Sequence, residues 1–252
     1  MSPEDALAIF AAGLAAGTVN VVVGSGSLIT FPTLLALGYP PVLANVSNTV
    51  GLVPGSVSAV VAYRRELVGQ RRRVIQLGSA SLLGGLAGAI LLLALPHSVF
   101  KQVVPALIAI AALLMAAQPR MRAGLERRGD RRTHGGAALL VGVFLTGVYG
   151  GYFGAAQGVI LIALLAIFID DDLQRLNGVK NALALVVNAV SGLFFIATTH
   201  ISWEVAGLIA AGAIIGGQVG GRYGRRLPAP LLRWVIVIVG LGVAIGLAVE
   251  WH

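Results

Sequence analysis

The charged residues of this chain are gathered into short loops between long apolar runs, and that placement decides its solvent. RRELVGQRRR (64–73), PRMRAGLERRGDRR (119–132) and RYGRR (222–226) hold most of the arginine. The runs between them leave 57% of the 252 residues hydrophobic and 11% charged, with a mean hydropathy of +0.90. A soluble domain carries charge on about a quarter of its residues. One aqueous core cannot hide so much apolar surface, so lipid must be the solvent. The composition predicts an all-α, multi-pass integral membrane protein of the cytoplasmic membrane.

The net charge of +8 does not point to nucleic acid. No aromatic residues interleave with the arginines, and basic connecting loops are what the positive-inside rule produces. There is no cysteine, so disulfides and thiolate metal sites are excluded. Histidines 97, 134, 200 and 252 lie at loops and ends without metal-ligand spacing. No cofactor is expected. MSPEDALAIF is acidic and has no cleavage site ahead of polar sequence, so a cleaved signal peptide is not expected.

The chain repeats itself. Gly17 and Gly24 align with Gly147 and Gly154 at an offset of 130, and NVSNTVGLVPGSVSAVVAY (45–63) aligns with NGVKNALALVVNAVSGLFFI (177–196). GSASLLGGLAGA (78–89) matches AAGAIIGGQVGG (210–221), and Leu95-Pro96 matches Leu227-Pro228, both at an offset of 132. Four matches in order predict two homologous membrane halves, 1–118 and 137–252, joined by a basic cytoplasmic linker at 119–136. Each half contains the same apolar segments: about 5–23, 27–37, 45–63, 74–95 and 99–117 in the first, and about 137–153, 157–169, 179–197, 204–221 and 230–250 in the second.

The first two segments of each half are short and meet at a glycine-rich break, VGSGS (23–27) or YFGAAQG (152–158). Each pair is either one kinked helix or a hairpin that returns to the side it entered from. Kinked helices would give parallel halves and set RYGRR, Arg175 and Arg233 opposite the other basic loops. Hairpins give inverted halves and place every basic loop on one face, leaving Lys101 alone on the other. The positive-inside rule favours the hairpin, an inverted repeat in which each half is a broken-helix hairpin plus three transmembrane helices. Both termini then lie outside the cytoplasm, which a reporter fused after His252 would test.

At membrane depth, irregular backbone persists only where it is buried in protein or lines a cavity. Glycine permits the sharp turn, and the following helix then presents free N–H groups and the positive end of its dipole. Such an end binds anions. Gly24 and Gly26, with hydroxyl donors on Ser25 and Ser27, and Gly154 with Gln157 in the second break, are therefore candidate substrate contacts. Packing alone would also use glycine, and for GGLAG (84–88) and GGQVGG (216–221) packing is the expected role. Asn48 and Asn181 match across the repeat about one turn into apolar runs; they either line the pathway or tie helices together. Lys180 sits where the first half has Ser47. An intramembrane lysine costs roughly 2.5–3.5 kcal/mol on insertion scales, so it needs a partner or a role. It can contact an anion, snorkel to headgroups, or pair with one of Asp170, Asp171 and Asp172.

GSGSLITFPTLLALGYPP, the polar ANVSNT and the Gly/Ser-rich run ending in AYRREL, repeated once downstream, resemble the sulfite exporter TauE/SafE family of membrane permeases from about Ala6 to Val249. The second half departs from the commonest pattern, with AAQG at 155–158. The resemblance implies movement of a small sulfur-containing anion, such as sulfite, sulfoacetate or another organosulfonate. GxxxxGK[ST] is absent, so a secondary transporter is expected, with protons or another ion as coupling partner. A passive, channel-like anion pore is the alternative. A membrane-embedded enzyme would need a nucleophile–base set or paired carboxylates within the helices, and the sequence shows neither. The expected partners are the anion and the bilayer, with a homo-oligomer left open.

Overall fold

A computed structural model describes residues 1–126, 136–223 and 229–251. The rest of the basic segment 119–136, including His134, lies outside the described residues, as do 224–228 within RYGRR and His252; of Arg233 only its backbone is described. Among the described residues ten helices form: α1 (Pro3–Val22), α2 (Ser27–Ala36), α3 (Pro41–Ala62), α4 (Arg71–Ala94), α5 (His97–Glu126), α6 (Gly136–Tyr152), α7 (Gln157–Phe168), α8 (Leu173–Thr198), α9 (Trp203–Tyr223) and α10 (Ala229–Trp251). No strand occurs among the described residues. The apolar segments of the sequence become these helices one for one. The expected division at residue 118 falls inside α5, which runs on through the start of the basic segment. Helices α1, α4, α5, α8 and α9 are each long and apolar enough to cross a membrane. Leu83, Leu113, Leu145, Leu193 and Ile245 stand exposed on the outside, where lipid is their solvent.

Local chemistry sets several helix ends. Ser2 and Asp5 form a reciprocal capping box at α1, with Pro3 as its first residue. The Asp172 carboxylate caps α8 by accepting from the N–H of Gln174 and Arg175 at 2.8 and 3.3 Å. Within the bundle, glycine allows backbones to touch. Gly13 and Gly17 pack on Ile209 and Ala213 of α9, and Gly84 and Gly88 on Phe144 and Val148 of α6. A Cβ on Gly17 would stand 2.7 Å from the Cα of Ala213, closer than side chains allow. The first helix of each half thus lies along the fourth helix of the other.

Register fixes the directions. Phe10, Leu14 and Thr18 meet Gly212, Gly216 and Gly220 in turn, so α1 and α9 are parallel. Gly51, Gly55 and Ala62 meet Ile209, Ala213 and Gly221, so α3 shares that direction. Along α8 the order reverses: Gly192 lies beside Val50, Asn188 donates to Ser56 Oγ at 3.1 Å, and Asn177 donates to Tyr63 Oη at 2.9 Å. Helices α3 and α8, which occupy the same place in the two halves, therefore run antiparallel. Gly13 and Gly51 both rest on Ile209, so α1 and α3 rise from one face. The 10-residue α2, about 15 Å long, must carry the chain back between them, and it does so with Gly26 against Ala16. The pair α1–α2 is a hairpin and not a kinked helix.

The end of α3 and the starts of α4 and α8 share one face, where the described arginines collect. Arg73 Nη1 lies 2.7 Å from Asp171 Oδ2, Arg175 Nε lies 2.9 Å from Oδ1, and Gln70 Nε2 donates to the Arg175 carbonyl at 3.1 Å. Burial pushes the Asp171 carboxyl up, but the Arg73 hydrogen bond, the Asp172 N–H and the two guanidinium charges together hold it below the usual range. Arg64, Arg65 and Arg222 border a cleft of about 360 Å³ on the same face. The chain has no cysteine of its own, so single cysteines can report the faces. Val68→Cys and Arg72→Cys should react with a membrane-impermeant maleimide from one side of the bilayer, and His200→Cys from the other. Labelling of all three from one side would contradict the antiparallel pairing of α3 and α8.

Candidate substrate site at two helix breaks

The two breaks are built alike. After α1, the N–H groups of Val23 and Gly24 both reach the Val19 carbonyl, at 2.7 and 3.2 Å. After α6, those of Phe153 and Gly154 both reach the Tyr149 carbonyl, at 2.9 and 3.1 Å. Gly24 and Gly154 then turn through positive φ, at 89° and 81°, which a side chain would oppose. The second break adds Ala156 at φ 60°, a left-handed conformation uncommon for a residue with a side chain. In the first break, the Gly26 N–H is held by the Asn20 side chain at 3.2 Å.

The breaks touch each other. The Gly158 N–H donates to the Gly24 carbonyl at 2.9 Å. A Cβ on either glycine would lie 2.5 Å from the other's Cα. The N-terminal ends of α2 and α7 are thereby brought to one seam inside the bundle. N-terminal helix ends carry partial positive charge and spare N–H donors.

A helix that stops inside a membrane also leaves carbonyls without partners at its C-terminal end. Here each is completed from the opposite half. Asn45 of α3 donates to the Tyr152 carbonyl at the end of α6, at 2.9 Å. Asn177 of α8, its counterpart in the repeat, donates to the Val21 carbonyl at the end of α1, at 3.5 Å. On that second side the support is heavier. Asn181 also reaches the Val21 carbonyl at 3.4 Å, and Lys180 Nζ lies 3.3 Å from both the Asn20 and Val21 carbonyls. Tyr63 accepts from Asn177 and donates to Gln174 Oε1 at 3.3 Å.

The nine candidate residues fall into distinct environments. Gly24, Gly26 and Gly154 form the turns. Ser27 is half-buried at the start of α2; its Oγ accepts from Asn48 at 3.3 Å, which leaves the hydroxyl proton to donate. Asn48 is fixed from its other side by Thr30, which donates to Oδ1 at 2.5 Å. Ser25 is buried with its hydroxyl on Met115 of α5 at 3.6 Å, facing away from Ser27. Gln157 opens α7, is 4% exposed and packs on Gly150, and its Nε2 has no hydrogen-bond partner in the structure. Lys180 neither snorkels nor pairs with an aspartate: it is 1% exposed and holds the end of α1. Asn48 and Asn181 belong to separate networks. Sequence reasoning passed over Asn45 and its reach to Tyr152, although the shared offset of Asn45 and Asn177 carried the signal. It also missed Thr30 and the bond from Tyr149 Oη to the Ala155 carbonyl at 2.6 Å, which braces the second turn.

The arrangement offers donors and partial positive charge to an anion. No group of three metal-ligating side chains occurs among the described residues. Asn45→Leu should strand the buried Tyr152 carbonyl and cost about 1–3 kcal/mol, seen as a lower melting temperature in detergent, while Asn177→Leu should cost less because Lys180 and Asn181 still reach the Val21 carbonyl. An unchanged melt for both would show that the broken ends do not depend on these caps.

The model of the sulfite exporter TauE/SafE family matches residues 9–247 of the chain. A probable membrane transporter protein of Haemophilus influenzae is 29% identical over 236 residues, covering 93% of this chain and 91% of the relative. The probable membrane transporter protein YfcA of Escherichia coli K12 is 26% identical over 97% of this chain and 90% of its own. The probable membrane transporter protein ORF9 of a Sinorhizobium species is 27% identical over 96% and 92%. With its multi-pass helical bundle and a family match over nearly its whole length, the chain belongs to the sulfite exporter TauE/SafE family of membrane transporters.

Proposed function

We propose that the protein is a secondary transporter for a small sulfur-containing oxyanion, such as sulfite, sulfoacetate or another organosulfonate, bound between the two helix breaks. The observation that carries this reading is the seam at Gly24 and Gly158, where two helix N-termini meet inside the bundle beside an unpartnered buried amide, Gln157 Nε2. An oxyanion there accepts from Ser27 Oγ and Gln157 Nε2, with the positive ends of α2 and α7 beside it. Asn48 holds Ser27 in place, Ser25 shapes the turn, and Lys180 with Asn181 fixes the end of α1. The family name supports a sulfur oxyanion as cargo. The chain has no nucleotide-binding motif to drive the cycle, so an ion or counter-anion gradient does. The arginine-rich face is the cytoplasmic one, and both termini lie on the opposite side.

Reconstituted into liposomes, the protein should carry sulfite or a small sulfonate with saturable kinetics, measured against thiosulfate and sulfate. Gln157→Leu should weaken transport roughly 10- to 100-fold, the loss expected of one hydrogen bond to a charged group at about 1.5–3 kcal/mol. Failure to move any of these anions would overturn the reading. Ohmic current in place of saturable flux would make the protein a passive pore.

A further inference from the structure

Lys180 holds the place that a coupling cation occupies in transporters built on broken helices. In such proteins the N-terminal ends of half-helices face the anion, and the carbonyl ends hold the coupling ion. Here the carbonyl end of α1 is filled by an amine on a side chain, with Nζ 3.3 Å from the Asn20 and Val21 carbonyls. We propose that Lys180 is the proton site that couples anion movement to the proton gradient, its amine taking up one proton as the anion binds and releasing it on the far side. The proposal rests on the transport reading above and names its coupling ion.

Both contacts are long for a hydrogen bond, and both acceptors are neutral carbonyls. A neutral amine has two N–H groups and one lone pair, enough to serve two carbonyls. An ammonium has a third N–H and a charge, and no carboxylate is hydrogen-bonded to it. The groups around it are accounted for element by element. From α1 it meets only carbonyls. From α3 comes the Tyr63 hydroxyl, bonded to Asn177. From the turn after α3, the Glu66 Cβ lies against Gly178, two residues before Lys180. At the head of α4 and of α8, Arg73 and Arg175 are both engaged with Asp171. Helices α6 and α7 bring no lysine, arginine, aspartate, glutamate or histidine. The charge that a bound proton creates is therefore left for the transported anion to balance.

The step is a proton transfer without redox change. Hydronium on one side gives a proton to the Nζ lone pair and an N–H bond forms; the anion supplies the compensating negative charge. On the other side the anion leaves, the N–H bond breaks and the proton returns to water. Proton and anion must then raise each other's affinity by the same factor. The first half cannot do this. Its matching residue is Ser47, whose hydroxyl accepts from the Ser202 N–H at 3.0 Å. The duplication therefore does not duplicate this site.

The test uses proteoliposomes at zero membrane potential, with sulfite and with isethionate (a sulfonate ionised at every pH used) as probes and protein-free vesicles setting the leak. In the wild type, a one-unit inward proton gradient should drive uptake toward roughly tenfold accumulation of a singly charged anion. Lys180→Arg keeps the charge but cannot release a proton. It should retain anion–anion exchange and lose the response to the gradient. Wild-type uptake indifferent to the gradient overturns the proposal, and so does a Lys180→Arg variant still driven by it. If the Arg variant is not recovered from the membrane, Lys180→Gln, which binds no proton, replaces it: it too should lose the response to the gradient, and a retained response overturns the proposal. Absence of even anion–anion exchange in the wild type would instead overturn the transport reading, and the coupling with it.

Discussion

Everything in this molecule turns on ending two helices where the bundle buries their last turns. A helix stopped there exposes carbonyls at its last turn, and the segment that follows exposes N–H groups at its first. Hydrocarbon satisfies neither. The fold answers the first need with side chains from the other half: Asn45 on Tyr152, and Asn177, Lys180 and Asn181 on the Asn20–Val21 carbonyls. It answers part of the second by setting the two breaks against each other, with Gly158 donating to Gly24. The Asn20 side chain takes the Gly26 N–H, and the positive ends of the two helices are left as what an anion can use. Neither half could make this arrangement alone, since each supplies the caps that the other lacks.

The glycine stripes follow from the same requirement. To bring a cap from one half to a break in the other, the halves must interlock rather than sit side by side. Helix α1 lies along α9, and α4 along α6, at distances only glycine permits. Gly85 extends the pattern, with its carbonyl accepting from Ser191 of α8 at 3.1 Å. The small residues that look like low-information filler in the sequence are the surfaces that place the polar ones.

Much of the fold was legible in the sequence because the bilayer leaves few choices. Apolar segments had to be helices, and arginine-rich loops had to share a face; Arg73, Arg175, Arg64 and Arg222 do. The duplication told which helices correspond. What stayed hidden was partnership across the repeat. A single sequence shows that Asn45 and Asn177 match, but not that each reaches past its own half, because that depends on how the halves interdigitate. The same limit applied to Lys180, whose depth and partners depend on where α1 stops. Ser25 and Ser27, two residues apart and alike in type, part company because the turn sends one toward Met115 of α5 and the other toward Asn48. Backbone turns at positive φ decide that, and residue type does not encode it.

The central claim is that an oxyanion rests at the seam of the two breaks, and selenite can test it directly. Selenite has the shape and charge of sulfite and scatters anomalously, so crystals grown with it report the position of the anion. The account predicts an anomalous peak within hydrogen-bonding reach of Ser27 Oγ and Gln157 Nε2, beside Gly24 and Gly158. A peak found only among the arginines of the α4–α8 face, with the seam empty, would contradict it.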